Sequence, residues 1–324
     1  MMFRGDGLRA TVLRTVGAAL AAVLLSSCGG GEQVQKFQPT RIIAFGDEAS
    51  VLIDSGDHNA RKYSVNALKD VTTGVLDCKA NPLWIQYLGT NYSIVFPQCN
   101  PDAVATTSQT LAAPGATVAD VAAQIDQFLA EPDSFHGTDL VTILAGTNDV
   151  LAQYQLFVAG SLTQDQAVAA VEQAGTNLAA QVNRVANLGG KVLISTIPDV
   201  GLTPFALSEE AATPGRAAVL SLLSARFNSK LRVGLVNDGR KIGLLLMDEA
   251  VASIVKNVGT TFLDVTHPVC DVTLAPLVQQ CTTSTLVLNG SSDAFLWADS
   301  LRLSSGGQKT LGALAVARAT GNPF

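Results

Sequence analysis

From residue 40 onward, short apolar runs alternate with longer stretches in which apolar residues recur every three or four positions. Arg41-Ile42-Ile43-Ala44-Phe45, closed by Gly46-Asp47, reads as a buried strand ending in a turn, because an unbroken apolar run of this length suits a strand covered on both faces. Residues 92–96, 140–145, 191–197 and 242–247 repeat that signature. Residues 118–129, 164–188, 211–236 and 308–319 carry helical periodicity. Strands interleaved with helices predict an α/β domain, a three-layer α/β/α sandwich around a five-stranded parallel sheet. In such open sheets ligands sit beyond the carboxyl ends of the strands, so chemistry is to be sought just after each run.

The N-terminus follows a different pattern. Arg4, Arg9 and Arg14 precede an apolar run over residues 16–25 that is too short to cross a bilayer, which is the layout of a signal peptide. Leu25-Ser26-Ser27-Cys28 then resembles the bacterial lipoprotein box, which implies cleavage before Cys28 and acyl chains on that cysteine. Each buried methylene contributes about 0.8 kcal/mol, so several chains anchor stably where one is marginal. Residues 1–27 are thus expected to be a lipoprotein signal peptide, 28–39 the lipidated cysteine and a glycine-rich flexible tether, and 40–324 the folded domain. Gly29 after the cysteine, by the same resemblance, implies an exported lipoprotein on the periplasmic side of the outer membrane, with the cell surface as the alternative.

Charge removes one class of partner. The chain carries −6 overall and about −8 once residues 1–27 are gone, with no basic cluster to neutralise phosphates, so nucleic acid is excluded. Besides Cys28 there are Cys78, Cys99, Cys270 and Cys281, an even number in a compartment where disulfides persist. Of the three connectivities, Cys78–Cys99 and Cys270–Cys281 are favoured, because short loops close most readily. No CxxC pair or histidine cluster supports a metal site, and nothing in the chain calls for a cofactor.

Three segments stand where chemistry is expected: Phe45-Gly46-Asp47-Glu48-Ala49-Ser50, Ala145-Gly146-Thr147-Asn148-Asp149, and Phe295-Leu296-Trp297-Ala298-Asp299-Ser300-Leu301-Arg302. With Ala113-Pro114-Gly115-Ala116 between the first two, they resemble the four sequence blocks of the SGNH, or GDSL, hydrolases over residues 41–314. That resemblance implies a flavodoxin-like sandwich and an ester hydrolase. Its first block would supply a serine nucleophile at position 48 and its last an Asp-x-x-His base at position 302. Gly115 and Asn148 match the family's oxyanion-hole positions, and Asp299 matches the acid. As plain structure, Asn148-Asp149 would cap a helix or build a turn, and Gly115 would serve the turn after Pro114.

The nucleophile and base have both been replaced. Position 48 is glutamate and position 302 is arginine, which stays charged and has no acceptor atom, so it cannot act as a base. Attack on an ester by the glutamate would give an anhydride, with no strong base beside it to activate water. Family geometry instead sets Glu48 against Arg302, predicting a bidentate ion pair with Asp299 holding the arginine from the other side. The chain then retains a pocket for an acyl or glycan ligand without turnover. The alternative is an active esterase using a displaced Ser50 or Ser55 with His267. Ser50 lies two residues along, which rotates its side chain by roughly 200° on a helix and away from the site. His58 and His136 are expected in loops or on the surface, and Trp297 in the core or pocket wall.

Overall fold

The computed structural model describes residues 36–131 and 134–321. Residues 1–27, Cys28 and most of the tether lie outside the described residues. Its strands, in chain order, are β1 (Arg41–Gly46), β2 (Leu52–Ile53), β3 (Arg61–Lys62), β4 (Ala67–Asp70), β5 (Val75–Asp77), β6 (Gln109–Thr110), β7 (Asp139–Leu144), β8 (Lys191–Ser195), β9 (Ile242–Leu245), β10 (Asp264–Pro268) and β11 (Phe295–Trp297). The helices are α1 (Trp84–Asn91), α2 (Val118–Ala130), α3 (Thr147–Val158), α4 (Gln164–Asn187), α5 (Pro204–Ala212), α6 (Arg216–Gly234), α7 (Met247–Lys256) and α8 (Ser305–Ala319).

Five of these strands form one parallel sheet in the order β6-β1-β7-β8-β9, with helices between them in sequence. β1 and β7 are buried along their whole length, as their apolar runs require. Their register is fixed at the N-terminal end, where Arg41 pairs with Asp139, directly opposite, through Nε–Oδ1 at 2.8 Å and Nη2–Oδ2 at 2.9 Å. That fork-to-fork contact holds two buried charges without leaving either unpaired.

Two expected elements differ. Residues 92–96 are not a strand: Tyr92 caps α1, Ser93 has φ +57°, and Ile94 N–H returns to the Gly89 carbonyl at 2.9 Å. The edge position beside β1 belongs instead to the two-residue β6, polar and without an apolar run to announce it. The long helix over 211–236 is broken into α5 and α6 at Pro214-Gly215, where Gly215 has φ +95° and its N–H, with that of Ala217, binds the Glu210 carboxylate.

Both disulfides join the pairs expected, Cys78–Cys99 and Cys270–Cys281, with Cα atoms 5.7 Å and 5.8 Å apart. The second staples a small core of its own, in which Val65, Val269, Val278 and Ala298 pack around the bridge. Asn66, between β3 and β4, ties that stretch to the segment that follows Cys281, its N–H donating to Cys281 O at 2.9 Å and its carbonyl accepting from Thr283 N at 3.0 Å. Lys62 is fully buried nearby, its Nζ donating to the carbonyls of Cys78, Ala80 and Asn81. These contacts fix the loops that carry Tyr63 and Arg302 to the end of the sheet. No helix among the described residues is long and apolar enough to cross a membrane.

Candidate functional site

β1 turns sharply at Gly46, whose φ is +135° and where a Cβ would stand 2.0 Å from the Leu144 carbonyl oxygen, so only glycine fits. The Gln124 side chain completes the turn, accepting from Gly46 N–H at 2.8 Å and donating to Gly46 O at 3.0 Å. Asp47 then caps the short 3-10 turn Glu48–Ser50 by accepting from Ala49 N–H at 3.0 Å. After β7, Gly146 (φ +125°) lies against the Phe227 ring and starts α3, which puts Asn148 and Asp149 in its first turn. Asp149 reaches across to cap α2, accepting from Val118 N–H at 3.0 Å. Asn148 donates to Ala116 O at 3.0 Å. Together they hold the Pro114-Gly115 turn beside the end of β1.

Glu48 meets all of these elements. Its Oε2 accepts from Gly115 N–H at 2.8 Å and from Asn148 Nδ2 at 3.2 Å, while Oε1 accepts from Arg302 Nη2 at 2.8 Å. The other terminal nitrogen of Arg302, Nη1, donates to Asp299 Oδ2 at 2.8 Å, and Asp299 Oδ1 accepts the backbone N–H groups of Leu301 and Arg302. The guanidinium therefore bridges two carboxylates with one nitrogen each, rather than gripping Glu48 with both. Asp299 claims the second nitrogen because its own turn fixes it beside Arg302. The guanidinium also lies 6.0 Å from the Tyr63 ring centre.

Electrostatics match this geometry. Burial alone would raise the Glu48 carboxyl, but the Gly115 N–H and the Arg302 charge outweigh it and hold it below the ordinary range. Arg302 is raised, since Asp299 and Glu48 outweigh its own desolvation. Asp47 moves the other way. Burial first, and then the negative Glu48 beside it, push it from 3.8 up to about 8.

Between those two values the folded protein keeps a proton that the unfolded chain has released, so this group lowers stability as pH rises through the window. Asn at position 47 keeps the acceptor for Ala49 and cannot ionise. Asp47→Asn should therefore melt like the wild type near about pH 3.5, below the window, and higher by at least about 2–4 °C near about pH 8.5. Calorimetric scans at the two pH values check this, and an equal difference at both would contradict it.

A cavity of about 50 Å³ lies beside the Glu48–Arg302 contact, with Leu144, Leu151, Met247, Leu301 and Leu303 among its walls and Asp47 and Gln308 among its polar groups. The profile of the GDSL-like lipase/acylhydrolases matches residues 52–299. The chain belongs to this family. Positions 48 and 302 fall just outside the two ends of the matched segment. No curated protein matches the chain.

Among solved structures, a GDSL-family lipolytic protein from Veillonella parvula is 12% identical, covering 85% of this chain and 96% of that one with a TM-score of 0.42. Axe2, an acetylxylan esterase from Geobacillus stearothermophilus, is 11% identical over 90% and 99% with a TM-score of 0.45. A lipase/acylhydrolase from Enterococcus faecalis is 16% identical over 88% and 98% with a TM-score of 0.39.

The remaining hydroxyls and imidazoles of this GDSL-family chain are placed elsewhere. Ser50 is fully buried and its Oγ accepts from the Trp84 indole N–H at 3.0 Å. Ser55 sits in an exposed loop. His267 is 74% exposed, with Nδ1 held by Asp264 at 2.9 Å. His58 pairs with Asp54 on the surface, and His136 with Arg41 and Asp139 at the opposite end of the sheet. No serine hydroxyl bonds a histidine ring among the described residues. Trp297 is core, its indole donating to Val265 O. Among the described residues, no group of histidine, cysteine and carboxylate side chains is arranged to hold a metal ion.

The motif blocks did not point to Gln124, to Asp149 as the cap of α2, or to Gln308. Only the first two belong to a local pattern that could have been read, as polar residues at helical positions facing a strand end or turn.

Proposed function

We propose that this chain is a GDSL-family lipoprotein of the bacterial envelope in which the hydrolytic site is closed by its own side chain and the adjoining pocket serves binding. One observation carries this: the Glu48 carboxylate takes the N–H of Gly115 and the amide of Asn148, the donors that would stabilise an oxyanion. A carboxylate there has the shape and charge of an acyl-transfer product, and preorganised donors bind such a group without reorganisation. With Arg302 fixed between Glu48 and Asp299, no serine hydroxyl among the described residues is bonded to a histidine, and a nucleophile without a base stays unactivated. Export and lipidation at Cys28 would place the pocket at a membrane surface, with an acyl-bearing ligand favoured over a glycan by the leucine-rich walls.

Two measurements test the proposal. A fluorophosphonate probe, which labels activated serines, should leave the full-length protein unlabelled, and stable labelling at Ser50 or Ser55 would overturn the closed site. The mature protein should begin at an acylated Cys28 in a mass spectrum, and an unmodified Cys28 would remove the envelope half of the reading.

A further inference from the structure

Gln308 stands in the first turn of α8 and is only 1% exposed. Its orientation is fixed because Oε1 accepts from the Trp84 backbone N–H at 3.1 Å. That leaves Nε2 without an acceptor among the described residues, in a side chain that lines the cavity. A donor left open at the cavity wall can take a ligand acceptor. Across the same cavity, Asp47 is 4% exposed, and only its Oδ1 is engaged, by Ala49. Burial favours its uncharged form, which can donate as well as accept.

The charge around the cavity selects among ligands. With Asp47 uncharged, Glu48 and Asp299 still outnumber the single guanidinium between them, whose two terminal nitrogens are engaged while its Nε has no partner among the described residues. A free carboxylate entering here would meet net negative charge and a cation already shared between two carboxylates. The walls are leucine and methionine, and about 50 Å³ admits a group of roughly three to five non-hydrogen atoms.

We propose that this cavity binds small uncharged molecules that join a short apolar chain to a carbonyl group, with the carbonyl oxygen taken by the Gln308 amide. The inference rests on the proposed use of the pocket for binding, and adds to it the class of ligand and the residue that recognises it.

The test is ligand-detected saturation-transfer NMR on the full-length protein at neutral pH, with propionamide and propionate as neutral and anionic probes of the same size. Propionamide should show saturable binding, and propionate binding weaker by at least roughly tenfold. Gln308→Glu keeps an acceptor for the Trp84 N–H while removing the donor, and should weaken propionamide by roughly tenfold. Leu151→Trp fills the cavity from its half-buried wall without touching Gln308, and should abolish binding, with thermal melts confirming that each variant is folded. Propionate binding as tightly as propionamide, no binding of either probe, or unchanged propionamide binding in either variant would overturn the inference. Ester hydrolysis by the wild type would instead overturn the closed-site reading, and is measured separately.

Discussion

The double substitution Glu48→Ser with Arg302→His should raise short-chain ester hydrolysis by roughly 10²–10⁴-fold over the wild type. Serine is shorter by a full carboxyl group, so its hydroxyl would leave Gly115 N–H and the Asn148 amide open to the oxyanion that Glu48 now imitates. Histidine at 302 would inherit Asp299, which already accepts from that side chain at 2.8 Å. Neither single change supplies both halves. Glu48→Ser leaves a hydroxyl facing a guanidinium that cannot take its proton, and Arg302→His leaves the oxyanion donors occupied. Initial rates for the four proteins form a double-mutant cycle, and the gain should appear only in the fourth. Equal gains from one single substitution would mean that the donors are not blocked as described.

Arg302→Met should destabilise the fold by about 2–4 kcal/mol at neutral pH, because it strands a buried carboxylate after removing its counter-charge. Arg302 is itself 31% exposed, so solvent compensates part of the loss and the lower half of that range is expected. In the wild type, Glu48 titrates below its ordinary value, so its contribution is present above about 4.5 and is lost as pH falls through the folded value. In Arg302→Met the burial of Glu48 would be unopposed by that cation, so the variant should recover toward wild type as the medium is acidified below about pH 5. Adding Glu48→Gln should restore most of the stability, since a neutral amide needs no counter-ion. Chemical denaturation at two pH values measures all three effects, and a pH-independent loss would show that packing, not charge, is responsible.

The sheet was legible in the sequence because β1, β7, β8 and β9 are mostly apolar runs, the first two buried throughout and the others at all but one residue each, with helical periodicity between them. The edge strand was not. Gln109 and Thr110 form only two residue pairs with β1 and offer no hydrophobic signal, whereas residues 92–96 offer a strong one and fold as a turn around Ser93. The break between α5 and α6 was present in the letters as Pro214-Gly215, a dipeptide that interrupts helices, but the flanking periodicity outweighed it.

The site divides in the same way. Glu48, Gly115, Asn148, Asp299 and Arg302 were brought to notice by motif order, and the structure gathers them at one end of the sheet. That Glu48 would occupy the oxyanion donors, and that Arg302 would divide its fork between two carboxylates, depends on side-chain reach across segments more than sixty residues apart. Gln308 was illegible for a different reason. A glutamine in an amphipathic helix is ordinarily a surface residue, and only the packing of α8 buries this one at the cavity wall.

Initial-rate hydrolysis of 4-nitrophenyl acetate by the purified wild-type protein, against a buffer blank and the Glu48→Ser/Arg302→His variant, tests the closed site most directly. The wild type should not exceed the blank while the variant does. Saturable wild-type turnover that survives removal of trace contaminants would contradict a site closed by Glu48.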